Sequence, residues 1–227
     1  MNNLFTIERE KLFRLLEGAE PSTEQLNTIL QKAHQLKGLE LEDVAILLRV
    51  QNSEKIKQIM EVAKYVKEEI YGKRLVLFAP LYTGNVCVNN CVYCAFRRAN
   101  KHLVRKVLNM DEIEQETRML LKDGHKRILL ICGEKTKNDI NYVCEAIRRV
   151  YSIQIGKDNI RRINVELAPM TVEEFRQLSK EKIGTFVCFQ ETYDPELYKE
   201  YHPENTPKSD YLYRLNVMHR AMEAGIP

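Results

Sequence analysis

Residues 74–100 read RLVLFAPLYTGNVCVNNCVYCAFRRAN. The opening run, RLVLFA, is too continuously apolar for a half-exposed strand and too short for a helix, which is the profile of a strand buried in a parallel sheet. Three more such runs follow: RILLI at 127–131, INVELA at 163–168 and TFVCF at 185–189. Helical patterns with start signals lie between them. These are Asn109 with Glu112, Asn138 ahead of Ile140, Val143, Cys144 and Ile147, and Thr171 with Glu174 ahead of Phe175 and Leu178. A last helix is expected from Ser209 to Ala224. Strand and helix therefore alternate four times, and right-handed crossovers wind such units into a curved parallel sheet with helices outside. The expected fold class is α/β: a partial, half TIM-type barrel of four parallel βα units over residues 73–227.

Upstream of this alternation the pattern is helical. Ser22 and Gln25 stand in capping-box spacing before Leu26, Ile29, Leu30, Ala33 and Leu36. A second amphipathic stretch runs from Glu54 to Tyr71 and stops at Gly72. Residues 1–72 thus form an N-terminal helical segment. A closed eight-unit barrel takes about 250 residues, whereas about 150 follow this preface. The text stops at Gly225-Ile226-Pro227, where a fifth strand would begin. The expectation is a truncated core whose open edges and inner face need covering.

Composition narrows the partners. The chain has 227 residues, 44% of them apolar, and 35 basic side chains against 32 acidic leave a formal charge of +3. No dense basic stripe runs along it, so nucleic acid is not an expected partner. No apolar run approaches the roughly 18 residues of a membrane span, and MNNLFTIEREKLFRLLEG mixes acids into its apolar positions as a signal peptide does not. The expected location is cytoplasmic, with no membrane partner. There the six cysteines stay reduced, so a tight group of them points to metal rather than disulfides.

The tight group is Cys87-x3-Cys91-x2-Cys94. It directly follows the first strand, which puts it at the C-terminal mouth where parallel barrels and sheets place their chemistry. Three thiolates this close can hold three corners of one 4Fe-4S cluster. The fourth iron then lacks a local protein ligand, and S-adenosylmethionine (SAM) can chelate it through its amino and carboxylate groups. Structural zinc instead takes four closed ligands, often as two CxxC pairs. Asn89 and Asn90 suit a tight loop, because Asn tolerates left-handed backbone angles and backbone amides there can point at sulfur, and Val88, Val92 and Tyr93 are expected as its shield. Cys144 and Cys188 read as core thiols; Cys132, at the end of the second strand, is open. His202 and His219 read as surface or packing residues.

The cysteine loop, the strand before it and the half-barrel after it resemble the radical SAM superfamily. The flanking stretches LKGLELEDVAILL, VKEEIYGKRLVLFAPLY, RRINVELAP, FQETYD and HRAMEAGI narrow the resemblance to its tyrosine lyases, the HydG family of hydrogenase maturation, with the ThiH family of thiamine synthesis as a near relative. The resemblance implies a 5'-deoxyadenosyl radical that takes hydrogen from the amino group of L-tyrosine, after which the Cα–Cβ bond breaks to give p-cresol and dehydroglycine. It also implies an electron donor such as ferredoxin or flavodoxin. In the HydG family the second product goes on to carbon monoxide and cyanide at another cluster in a C-terminal domain, which this sequence does not contain.

Carried over residue by residue, Cys87, Cys91 and Cys94 match the cluster ligands and Tyr93 the aromatic residue near adenine. Gly133 and Glu134 match the motif after the second strand, where a carboxylate can accept hydrogen bonds from the methionyl ammonium of SAM. Glu191, in QETYD, is a candidate for SAM or substrate contact. Asn164 and Glu166, two apart on one strand, face the same side and are candidates for the SAM ribose. The chain departs from the family pattern at Ala95-Phe96, at Lys135-Thr136 and in HPENTPK at 202–208. Two other classes stay open: a non-catalytic iron-sulfur or interaction module, and a radical SAM activity on another aromatic amino acid.

Overall fold

The computed structural model describes residues 4–134 and 140–226. The chain divides into two compact units, one spanning Ile7–Val76 and the other running from Leu77 onward together with the first few residues. The first unit holds α1 (Arg9–Leu16), α2 (Thr23–His34), α3 (Leu41–Leu48) and α4 (Ser53–Tyr71). Ser22 starts α2 as its spacing foretells: its hydroxyl accepts from the Gln25 N–H at 3.2 Å, and the Gln25 side chain accepts from the Ser22 N–H at 3.0 Å. The sequence reading misses α1 and α3, each eight residues long, because two turns are too few for a 3.6-residue period to stand out.

The second unit is built on β1 (Ala79–Gly84), α5 (Met110–Lys122), β2 (Arg127–Cys132), α6 (Ile140–Ser152), β3 (Gln154–Ile155), β4 (Asp158–Asn159), β5 (Arg162–Glu166), α7 (Val172–Ser179) and β6 (Phe186–Val187). Four of these strands form one parallel sheet in the order β1-β2-β5-β6. This is the partial TIM-type barrel. The short antiparallel pair β3-β4, turned at Gly156 with φ +59°, has no counterpart in the expected pattern because two-residue strands carry no periodicity. The chain continues through α8 (Pro195–Tyr201), a 3-10 turn at Pro207–Ser209, α9 (Tyr211–Leu215) and α10 (Val217–Glu223).

Three expectations need correction. RLVLFA is not the first strand: Leu75, Val76, Leu77 and Phe78 are all more than half exposed, and pairing begins at Ala79, opposite Ile128. Apolar content marks a strand's neighbourhood, but register follows from which side chains alternate into the core, here Ala79, Leu81 and Thr83. Pro80 fits because β1 is an edge strand, with β2 as its neighbour in the sheet. The last helix is broken at Asn216, whose amide donates to the Leu212 and Phe5 carbonyls, each at 3.0 Å, and accepts the Phe5 N–H at 2.8 Å. A side chain engaged with a distant backbone competes with helix continuity. The Asn138 start signal lies outside the described residues.

One face of the sheet makes the core. Leu81, Ile128, Leu130, Ile163, Val165 and Phe186 pack against Ile113 and Leu121 of α5, Val143 and Ile147 of α6, and Phe175 and Leu178 of α7. Phe175 meets Phe186 edge-on, with centroids 4.8 Å apart at 86°, a favoured aromatic arrangement. Asn109 caps α5 reciprocally with Glu112, both bonds at 2.9 Å. Truncating Phe175→Ala should therefore lower the denaturant-unfolding stability by about 3–5 kcal/mol, whereas Asn109→Ala should cost about 1 kcal/mol. A Phe175 cost no larger than that of the cap would contradict the core described here.

Candidate functional site

Parallel pairing brings the C-terminal ends of β1, β2, β5 and β6 to one edge, and the cysteine loop leaves from Gly84 at the end of β1. Its return limb is gathered by one guanidinium. Arg105 donates to the carbonyls of Asn85 (2.7 Å), Phe96 (2.8 Å), Arg97 (2.7 Å) and Asn100 (3.1 Å), using the fixed fork of donors that only arginine carries. Tyr142 of α6 adds a bond from its hydroxyl to the Leu108 carbonyl at 2.8 Å.

Asn89 is buried and makes the crossing point. Its Nδ2 donates to Glu134 Oε2 at 2.6 Å, its Oδ1 accepts the Lys208 N–H at 2.8 Å, and its carbonyl accepts the Arg98 N–H at 2.8 Å. The left-handed backbone that asparagine tolerates is not used at Asn89 or Asn90: among the described non-glycine residues positive φ occurs at Leu36, Lys182, Glu191 and Asn205. Both asparagines serve through their side chains instead, Asn90 by accepting the Ala99 N–H at 3.1 Å. Gly133 is needed by the chain itself. A Cβ there would overlap the Val86 carbonyl oxygen and come within 3.2 Å of the Cys87 Cβ, while the Gly133 N–H donates to the Gly84 carbonyl at 2.9 Å and the Glu134 carbonyl accepts from Val88 at 2.7 Å.

Tyr93 is held from behind. Its hydroxyl lies 2.8 Å from His202 Nε2, and His202 Nδ1 lies 2.9 Å from the Tyr198 carbonyl. A carbonyl only accepts, so the imidazole proton sits on Nδ1 and Nε2 receives the tyrosine hydroxyl. Tyr198 donates in turn to the Lys208 carbonyl at 2.6 Å. His202, read from sequence as surface or packing, is only 2% exposed, and burial pushes its pKa down to about 4, which keeps it neutral. Burial also raises the Tyr93 pKa, with the nearby Cys91 and Glu191 adding to the effect.

A cavity of about 390 Å3 opens on this edge, and Cys87, Cys91 and Cys94 share its walls with Tyr93, Gly133, Glu134, Glu166, Glu191, Lys208 and Arg214. Asn164 is not brought in: one residue pair back along β5, its Oδ1 accepts from Arg162 Nε at 3.1 Å, and it is not part of the wall. Glu191 stands at φ +70°, a conformation that costs a non-glycine residue about 1–3 kcal/mol and gathers at functional sites. Lys208 Nζ meets Glu191 Oε1 at 2.9 Å and lies 5.5 Å from the Tyr93 ring centroid. Burial alone would raise the Glu191 pKa, but the Lys208 ammonium outweighs it and the net shift is downward. Glu166 shifts upward, through burial first and the Glu191 charge second. Arg214, 7% exposed, donates from Nε to the Phe189 carbonyl at 2.7 Å, while its buried Nη1 has no partner among the described residues.

These residues fit a cluster with a further ligand. Cys91 is buried, and burial raises its thiol pKa, so the charge of bound iron would be needed to hold the thiolate. The Phe96 N–H points at Cys94 Sγ, 3.4 Å away, the kind of amide-to-sulfur bond that tunes clusters. Among the described residues no three His, Cys, Asp or Glu side chains are gathered as one metal ion would need. A cubane gives each thiolate its own iron and asks for wider spacing. Val92, expected to shield the loop, is instead 55% exposed. Cys144 is a core thiol whose pKa burial pushes up to about 11, Cys188 packs partly against the core, and Cys132 lines the cavity. Sequence reasoning misses Lys208 and Arg214. The available cue for Arg214 is a charge at the head of the buried i, i+3, i+7 series Arg214, Val217, Ala221.

A family model of the radical SAM superfamily matches residues 81–227, so the chain belongs to that superfamily. A crystal structure of HydG, a maturase of the [FeFe]-hydrogenase, superposes with a TM-score of 0.91 at 44% identity, covering 97% of this chain and 48% of the other. The HydG maturase of Carboxydothermus hydrogenoformans gives a TM-score of 0.82 at 42% identity, covering 96% and 50%. The 2-iminoacetate synthase of Salmonella typhimurium is 28% identical over 192 residues, which is 83% of this chain and 48% of that protein. The chain spans about half the length of these relatives. No helix among the described residues is long and apolar enough to cross a membrane.

Two outcomes check the network behind Tyr93. Replacing His202→Phe removes a partner from both the Tyr93 hydroxyl and the buried Tyr198 carbonyl and should cost about 1–3 kcal/mol of unfolding stability. In a Tyr93→Phe background the cost should shrink, with a coupling of about 0.5–3 kcal/mol between the pair; strictly additive losses would show that the two groups do not act together. The pH dependence has a definite sign. With its folded pKa at about 4 and an ordinary value of 6.5, His202 contributes stability that is complete above pH 6.5 and is lost as pH falls toward 4. His202→Gln should flatten that part of the stability profile relative to the parent protein, and an unchanged slope would contradict the buried neutral imidazole.

Proposed function

We propose that this chain carries the cluster and SAM site of a radical SAM carbon-carbon lyase acting on L-tyrosine in [FeFe]-hydrogenase cofactor maturation. The observation that carries the proposal is the placement of Cys87, Cys91 and Cys94, on one loop, in the wall of a cavity that also presents Glu134, Glu166, Glu191, Lys208 and Arg214. In this reading the three thiolates hold a 4Fe-4S cluster and leave one iron for SAM. When bound, the pair supplies a 5'-deoxyadenosyl radical by one-electron cleavage of a carbon-sulfur bond.

The chain's own residues do the rest. SAM and tyrosine are both zwitterions at the end that must be gripped. Arg214 offers the buried, unpartnered Nη1 to a carboxylate, for which a guanidinium is the matched donor. Glu134, one oxygen engaged by Asn89, turns its other oxygen to an ammonium, and Glu166 suits a hydroxyl. Tyr93, braced by His202, presents its ring to the nucleobase. The 44% identity to a HydG maturase, above the 28% to a 2-iminoacetate synthase, supports the maturation role over thiamine synthesis. Formation of carbon monoxide and cyanide would draw on protein beyond these residues.

The complete protein, reconstituted with iron and sulfide under anaerobic conditions and reduced, should release 5'-deoxyadenosine and p-cresol when given SAM and L-tyrosine, measured by mass spectrometry. Cys91→Ala should abolish both products. Cluster-loaded protein that binds SAM without releasing 5'-deoxyadenosine would favour a non-catalytic iron-sulfur module, and 5'-deoxyadenosine without p-cresol would move the substrate to another aromatic amino acid.

A further inference from the structure

The edge of the sheet away from the cysteines holds a second cavity, of about 400 Å3, whose walls carry Lys126, Arg127, Arg161, Arg162 and Lys182. Four of these cations come in two ranks. Lys126 and Arg161 precede β2 and β5, joined by the Arg161 N–H to the Lys126 carbonyl at 2.8 Å. Arg127 and Arg162 begin those strands and stand opposite each other in the parallel register. Neighbouring strands lie about 4.8 Å apart, and like charges held on them repel. No described acid shares the walls. Lys126 has Asp158 at 2.8 Å, but Glu181, next to Lys182 in the chain, is paired with Arg148 at 3.3 Å. Arg127, Arg161, Arg162 and Lys182 take part in none of the ion pairs found among the described residues.

The walls are also built. Arg162 is aimed by two acceptors, Asn164 Oδ1 at 3.1 Å from its Nε and Thr185 Oγ1 at 3.0 Å from its Nη2. Gly184 leaves the room this needs, since a Cβ there would come 2.3 Å from Arg162 Nε. The Tyr151 hydroxyl donates to the Lys182 carbonyl at 3.2 Å and accepts the Ile163 N–H at 3.1 Å, which ties the turn carrying Lys182 to β5. Asn164, absent from the cysteine cavity, thus has its work here.

We propose that this cavity binds a diphosphate or triphosphate group, inorganic or carried by a nucleotide. Charge and size select that class. A single phosphate brings about two negative charges, so four uncompensated cations call for at least two linked phosphates. Guanidinium forks match phosphate oxygens in pairs, and three of those four cations are arginines. A volume of about 400 Å3 lies within the range of small-molecule sites. The site is separate from the cysteine cavity: Arg162 and Glu166 are four residues apart on β5, about 13 Å of extended chain. It does not rest on the cluster and SAM reading.

The test titrates the complete protein with pyrophosphate, ATP and orthophosphate by calorimetry at low ionic strength, with and without SAM. Pyrophosphate should bind saturably, about tenfold or more tighter than orthophosphate. Arg161→Gln with Lys182→Gln should weaken pyrophosphate by about tenfold or more. Asn164→Ala, which keeps every charge but frees the Arg162 guanidinium, should weaken it by about threefold or more. Arg98→Gln with Lys101→Gln, exposed cations elsewhere, should change nothing. ATP binding tighter than pyrophosphate assigns the site to a nucleotide, and ATP binding no tighter assigns it to the diphosphate itself. Absence of saturable binding, or equal weakening in the Arg98 and Lys101 variant, would overturn the proposal. So would pyrophosphate displaced by SAM, which would then sit in the cysteine cavity. A loss in the Arg161 and Lys182 variant with none in Asn164→Ala would reduce the binding to bare charge and overturn the built site.

Discussion

The amide of Asn89 is the point on which the site depends. Buried and carrying both a donor and an acceptor, it joins three stretches far apart in sequence: the cysteine loop, the end of β2 through Glu134, and the turn after α8 through the Lys208 N–H. Each buried polar group left unmet would cost about 1–3 kcal/mol, so the three stretches are held in one arrangement. An aspartate in its place would face the Glu134 carboxylate, and an aliphatic residue would leave both partners stranded. Because Asn89 fixes the Lys208 backbone, it also decides where the Lys208 ammonium lies, against Glu191 and over Tyr93.

The parallel sheet supplies the frame for that junction. Alternation along each strand sends Ile163 and Val165 into the core and Glu166 to the other face, so the same strand that anchors the helices also lines the cavity. Parallel pairing puts the ends of β1, β2, β5 and β6 on one side, and the loops leaving them meet there without any loop having to be long. The cysteine loop is the exception in length. Arg105 compensates by tying four of its carbonyls to one guanidinium.

Charge within the cavity is divided rather than balanced. Lys208 keeps Glu191 ionised, and that negative charge together with burial discourages ionisation of Glu166. Arg214 faces the same space with a donor unspent. Side by side, a carboxylate whose pKa burial raises, a carboxylate paired with Lys208 and a guanidinium whose Nη1 has no partner among the described residues line one wall. Outside the wall, Arg98 and Lys101 are exposed.

Much of this was legible in the residues themselves. Cys87, Cys91 and Cys94 stand out by their spacing, and folding places all three in one cavity wall. The caps at Ser22, Asn109 and Thr171 hold as their spacing implies, since a capping box closes within four residues. The alternation of apolar runs and helical patterns determined a parallel α/β sheet. What the sequence could not determine was anything resting on partners distant in the chain: the start of β1 at Ala79, chosen by pairing with β2; the break at Asn216, made by Phe5; and the roles of Asn89, His202, Lys208 and Arg214. Tertiary structure decided those, because a polar side chain acquires a function only when burial removes water and leaves it the partners that folding has brought within reach.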